Sequence, residues 1–114
     1  AVNILQHCKT RKLNTDQCRL VFSMLGNYYK ISQHIEEAVK NWEIAANNGD
    51  PNAYIEIAKY QEHKNRNISS ALEWCEKCKI MLDNKINPPV SMRFRNDLEK
   101  RITRLQMKGM KNVQ

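Results

Sequence analysis

The chain has 114 residues, 41% of them hydrophobic, and a formal net charge of +7 from 19 Lys/Arg against 12 Asp/Glu. That length sets one domain with a modest core, and three Gly and three Pro in a background rich in Lys, Glu, Asn, Ile, Leu and Ala select an all-α domain. No apolar run reaches the roughly 20 residues of a membrane span, and no stretch has the basic, apolar and small-residue order of a secretory signal.

Residues 1–14 read as an N-terminal extension, a short or truncated helix around Val2, Ile4 and Leu5. The first residue is Ala rather than Met, and the expectation is a domain taken from a longer protein. Asn14 or Thr15 is placed to cap a helix over residues 15–31, in which Cys18, Val21, Phe22, Leu25, Tyr28 and Tyr29 recur at helical spacing. Gly26 costs about 1 kcal/mol relative to Ala inside a helix, which makes sense where a neighbouring helix must come close.

Ser32 is expected to cap a second helix with Ala38, Val39, Trp42 and Ala45 on its buried face. Asn47-Asn48-Gly49-Asp50-Pro51 ends it, because Gly accepts the left-handed cap and Pro cannot continue the helix. Asp50 then caps a third helix that has Pro51 at its first position and Ala53, Tyr54, Ile57, Ala58 and Tyr60 for packing. Residues 63–67 make a turn, and Ser69 or Ser70 opens a fourth helix reaching about Asp83. After Asn87-Pro88-Pro89 a last helix is predicted over 90–108, with Phe94, Leu98, Ile102 and Leu105 at i, i+4, i+8 and i+11. Gly109 is expected to end it and residues 109–114 to form a disordered tail.

Charge is unevenly spread. Residues 1–30 carry +4, residues 31–89 carry −2 and residues 90–114 carry +5. Basic ends around an acidic middle suit contact with an anionic surface, or simply reflect surface lysines. In the last helix, at about 100° per residue, Arg93, Lys100, Arg104 and Lys108 share a stripe with Arg101 at its border. Such a stripe is able to track phosphates; a solvated face of a covering helix is the alternative. No aromatic residue interleaves the basic ones, so base stacking has no platform there.

Four cysteines, Cys8, Cys18, Cys75 and Cys78, invite a metal reading, since Cys75-Glu76-Lys77-Cys78 is a CxxC. The second tight pair of a structural zinc site is missing, and Cys75 and Cys78 fall on helix positions that want small buried residues. They are read as core, with free thiols in a reducing cytoplasm and no metal or cofactor. His7, His34 and His63 have no ligand-type spacing, and His63 suits a helix C-terminus. No Gly-rich phosphate loop or carboxylate cluster points to catalysis, so this chain is not expected to be an enzyme.

The pattern repeats. Ala71, Cys75 and Cys78 follow Ala38, Trp42 and Ala45 at 33 residues, and Ile57 and Ala58 follow Leu25 and Gly26 at 32. With small residues inside each helical hairpin, this resembles the tetratricopeptide repeat. The resemblance implies a right-handed α-α superhelix of two hairpins, 15–47 and 51–83, closed by the last helix. The run Tyr54-Ile55-Glu56-Ile57-Ala58-Lys59-Tyr60-Gln61-Glu62-His63-Lys64, with Asp97-Leu98-Glu99-Lys100-Arg101-Ile102 later, resembles the C-terminal helical region of bacterial ribonuclease H-like proteins. In those proteins a predicted DEDD-type 3′–5′ exonuclease domain precedes tetratricopeptide-like repeats. The resemblance covers residues 17–108 and carries no catalytic motif; it implies an accessory module of a nuclease-like parent.

Tetratricopeptide modules hold peptides on a concave surface, which would here comprise Leu20, Ser23, Asn27 and Lys30, then Asn52, Ile55, Lys59 and Glu62. The carboxylate clamp of the chaperone-binding members is not met: Asn27 matches, but Ser23 and Glu56 replace a Lys and an Asn. The function expected is binding of a protein or peptide, or of the parent's own catalytic domain, with nucleic-acid backbone binding through Arg93, Lys100, Arg101, Arg104 and Lys108 as the alternative.

Overall fold

The computed structural model describes residues 14–84 and 90–113. They form five α-helices with no strand among the described residues, so the all-α class holds. The helices are α1 (Thr15–Ile31), α2 (Ile35–Asn47), α3 (Pro51–His63), α4 (Ile68–Asp83) and α5 (Met92–Val113). No described helix is long and apolar enough to cross a membrane. The reading of residues 1–13 as an extension lies outside the described residues, as does Cys8.

Local chemistry explains the helix ends. Asn14 Oδ1 accepts the Gln17 N–H at 2.8 Å while Gln17 Oε1 accepts the Asn14 N–H at 3.1 Å, a reciprocal capping box that fixes the start of α1. Ser32 does not cap the second helix as expected; its hydroxyl donates to the Tyr28 carbonyl at 2.9 Å and so closes α1. The chain then turns through Gln33 at φ 65°, and His34 precedes α2 without a side-chain cap bond. Gly49 at φ 92° ends α2, a left-handed position that disfavours any side chain. Asp50, itself buried, accepts the Asn52 N–H at 3.1 Å as α3 begins.

α4 starts one to two residues earlier than Ser69 or Ser70, because Asn67 Oδ1 takes the Ser70 N–H at 3.0 Å and provides the cap. Ser91 Oγ does the same for the Phe94 N–H at 3.1 Å at the head of α5. The expected end of that helix at Gly109 is wrong: α5 continues to Val113. An interior glycine costs only about 1 kcal/mol and nothing after it breaks a helix; a Cβ at Gly109 would make an ordinary contact with Ile68, 3.7 Å away.

The chain divides into two compact units, Ala1–Ala53 and Tyr54–Gln114. In the first, α1 packs on α2. Phe22, Ala38, Val39, Trp42, Ala45 and Ala46 are buried there. In the second, α4 packs on α5, and Ala58, Ala71, Cys75, Cys78, Leu82, Leu98, Ile102 and Leu105 form one apolar cluster with Phe94 against it. Of the positions paired by the 32–33-residue spacing, Gly26 with Ala58, Ala38 with Ala71, Trp42 with Cys75 and Ala45 with Cys78 are buried at both members, whereas Ile57 is buried and its counterpart Leu25 half-buried.

Candidate functional site

Two surfaces stand out, one in each unit. On α1 the residues Phe22, Leu25, Gly26 and Tyr29 lie toward one side, and Phe22 and Gly26 are buried. Leu20, Met24, Tyr28 and Ile31 recur at i, i+4, i+8 and i+11 and are 62%, 62%, 62% and 82% exposed. At about 100° per residue these four centre roughly opposite the buried face. A helix apolar on opposite sides is one that expects a neighbour on both. Tyr28 was expected among the packing residues; six positions from Phe22, it turns away from the core and joins the outer stripe instead. Of the anticipated concave residues, Ser23 is half-buried, Asn27 and Lys30 are exposed beside this stripe, and Asn52 is exposed at the start of α3.

The second surface lies between α3 and α5 in the second unit. Lys59 is half-buried and within 3.5 Å of Glu56. Ile55 is not an open surface residue; it packs against the apolar cluster. Glu62 is not open either. Its side chain is 1% exposed and sits under α5, where Arg104 donates from Nη1 at 2.5 Å and Nη2 at 2.9 Å, and Lys108 Nζ donates at 3.1 Å. The peptide surface and the phosphate stripe expected from sequence therefore meet in one ion cluster, with a concave anchor and two of the five basic residues spent on each other.

The charge arrangement is asymmetric. The hydrogen bond from Arg104 is the main cause that holds the Glu62 carboxyl down at about 2, against the opposing effect of burial and with help from Lys108. The same bond raises the Arg104 guanidinium. His63 Nε2 stands 3.6 Å from Glu62 and is itself 64% exposed. Arg93 and Lys100 are exposed, Arg101 is half-buried, and none of the three has an ion-pair partner among the described residues. Elsewhere on α5, Arg95 pairs with Asp83 and donates to the Leu82 carbonyl, while Glu99 pairs with Lys79. Residues 54–114 hold thirteen Lys/Arg against seven Asp/Glu, net +6, whereas residues 1–53 hold six against five. The basic character belongs to the second unit.

Cys75 and Cys78 are fully buried in the apolar cluster, so both serve as core residues. Burial pushes the Cys75 thiol up to about 11, the opposite of what a thiolate ligand needs. Among the described residues no three His, Cys, Asp or Glu gather where they could hold a metal ion.

Sequence reasoning missed the outer stripe of α1 because helical spacing alone does not distinguish a core face from an exposed apolar one. The signal was present: Leu20, Met24 and Ile31 have the same spacing as the core set on the other side. Comparison of the chain with protein-family models, curated proteins and solved structures finds no match.

Proposed function

We propose that the chain is a protein-interaction module, built as two tetratricopeptide-like hairpins (α1–α2 and α3–α4) in a right-handed superhelix with α5 covering its open end. The observation that carries the interaction reading is the stripe Leu20, Met24, Tyr28 and Ile31 on α1, a continuous apolar ridge left in solvent. The repeat architecture draws support from the small buried residues at matched positions and from the close contact of Gly26 with Trp42. The resemblance read in the sequence supports a nuclease-like parent, whose catalytic domain is one candidate for the ridge, and the free thiols support a cytoplasmic setting.

Affinity capture from cells producing the tagged chain, compared with Met24→Asp/Tyr28→Asp, tests this. The captured proteins should fall by about 30-fold in the variant, since burying an aromatic anchor carries about 2 kcal/mol or more. Both side chains are exposed, so the fold should be unaffected. Identical capture by both proteins rejects the ridge as an interface.

A second reading, contact with a nucleic-acid backbone, draws on Arg93, Lys100 and Arg101 of α5, which have no ion-pair partner among the described residues. Three phosphate contacts would give a log–log salt slope of about −2 to −3 for labelled single strands or duplex. Arg93→Glu/Lys100→Glu should then remove most of the binding. No binding to either form at low salt ends this reading.

A further inference from the structure

We infer that a groove in the second unit, between the first turn of α4 and the last turns of α5, receives a peptide that pairs an apolar anchor with an adjoining carboxylate. This rests on the interaction reading but uses a different surface from the α1 ridge. The groove has a volume of about 700 Å³; Ile68, Leu72, Leu105, Gly109 and Met110 make its apolar walls, with Ser69 and Gln106 as the polar residues among its lining. That size suits one or two large side chains. Met110 is 70% exposed at its edge, and Gly109 leaves its floor open, since a Cβ there would meet only Ile68 Cγ2, at 3.7 Å.

Ile68 also lines a second, smaller cavity of about 360 Å³, whose other walls are Glu62, His63, Arg66 and Lys108. The two cavities are thus adjoining: apolar on one side of Ile68, basic on the other. Glu62 is already satisfied there by Arg104 and Lys108, so it offers no net attraction for a cation. Arg66 is exposed, held at φ 52° in the turn before α4, and has no ion-pair partner among the described residues. A carboxylate next to the buried anchor would meet Arg66 and the half-exposed Lys108.

Charge complementarity selects the occupant. Residues 1–13 and 85–89 contain no Asp or Glu and carry Lys or Arg, so neither of these segments of the chain matches the basic side. A nucleic acid would match the charge but has no use for an aliphatic groove without aromatic stacking partners. An acidic peptide with Leu, Ile, Met or Phe anchors satisfies both halves.

Selection of displayed twelve-residue random peptides on the full chain tests this, followed by anisotropy with the selected peptides. The selected sequences should place one or two large apolar residues beside Asp or Glu. Replacing those acids by Asn or Gln should weaken binding at least about tenfold, the scale of one charge-assisted contact. Gly109→Leu, which plugs the groove and favours the helix, and Met110→Glu should each cost about tenfold or more, while Met24→Asp should not matter. Binding that survives both groove variants, or that is unchanged by amidating the acids, overturns the inference. If Met24→Asp alone removes binding, the groove fails and the interaction reading stands. Enrichment of no peptide counts against both. Displacement of bound peptide by single-stranded DNA, with loss of DNA binding in Gly109→Leu, would give the groove to nucleic acid. Self-association in sedimentation that Gly109→Leu abolishes would give it to a second copy.

Discussion

Gly26→Ala destabilises the first unit, against the direction that helix propensity alone would give. Alanine in a helix interior is favoured over glycine by about 1 kcal/mol, and α1 continues for five residues beyond Gly26. A Cβ at this position, however, would stand inside the van der Waals envelope of the Trp42 ring. Of its three nearest atoms even the farthest, Cγ, would be 2.9 Å away. Trp42 is 1% exposed, and Cγ is the root of its ring, so rotation of a flexible tip does not relieve the overlap. Overpacking of a tight core costs about 1–3 kcal/mol, with the larger values where the neighbour is rigid. A net loss of about 2 kcal/mol is expected, lowering the melting temperature by roughly 10 °C for a domain of this size. Gly109→Ala is the matched control, because its Cβ would make one ordinary contact; it should leave the melting temperature unchanged or raise it. Trp42→Leu should restore much of the loss in the Gly26→Ala background. A Gly26→Ala protein as stable as its parent would mean that α1 and α2 are not in the contact described.

This pair shows how far the sequence reaches. A glycine inside an apolar helical pattern signals a close neighbour, and the tryptophan 16 residues later is that neighbour. Such a relation is legible because both residues are local to one hairpin. The five helix spans followed from periodicity and from Asn14, Gly49 and Pro51, residues whose preferences are set by their own backbone. Ser32 misled because it closes α1 through the Tyr28 carbonyl instead, and Ser69 because Asn67 takes the cap of α4; Gly109 misled because a helix interior tolerates one glycine at about 1 kcal/mol, and α5 runs on past it. Charges were the least legible. Glu62 and Arg104 are 42 residues apart, and nothing in the spacing of either reports that α5 lies over α3. Helical angles placed Arg104 and Lys108 on one stripe, but a stripe of cations looks the same whether it faces solvent or a single buried carboxylate.

Reversing that pair should therefore unfold the second unit before it says anything about nucleic acid. The sequence alone suggests that Arg104→Glu/Lys108→Glu would abolish phosphate binding and leave helicity intact. In the structure those substitutions set two carboxylates against Glu62, whose side chain is 1% exposed and whose two partners are removed. Breaking a buried pair while leaving its other charge in place costs about 3–5 kcal/mol, a large part of the 5–15 kcal/mol that holds a domain together. Loss of helical signal and of cooperative melting is expected. Glu62→Gln isolates the charge with little change of shape and should cost less, since Arg104 and Lys108 are 48% and 46% exposed and turn to water. The pH dependence then has a definite sign. The folded-state carboxyl titrates at about 2 instead of its ordinary 4.5, so its contribution is complete above 4.5 and is lost as pH falls toward 2. That contribution is at most ~3 kcal/mol and smaller once water around the two cations is counted. Urea unfolding from pH 6 to pH 2 should show the wild-type chain losing stability over that window more steeply than Glu62→Gln. Equal acid slopes in the two proteins would mean that Glu62 stays hydrated in solution, and the junction of α3 with α5 would need another explanation.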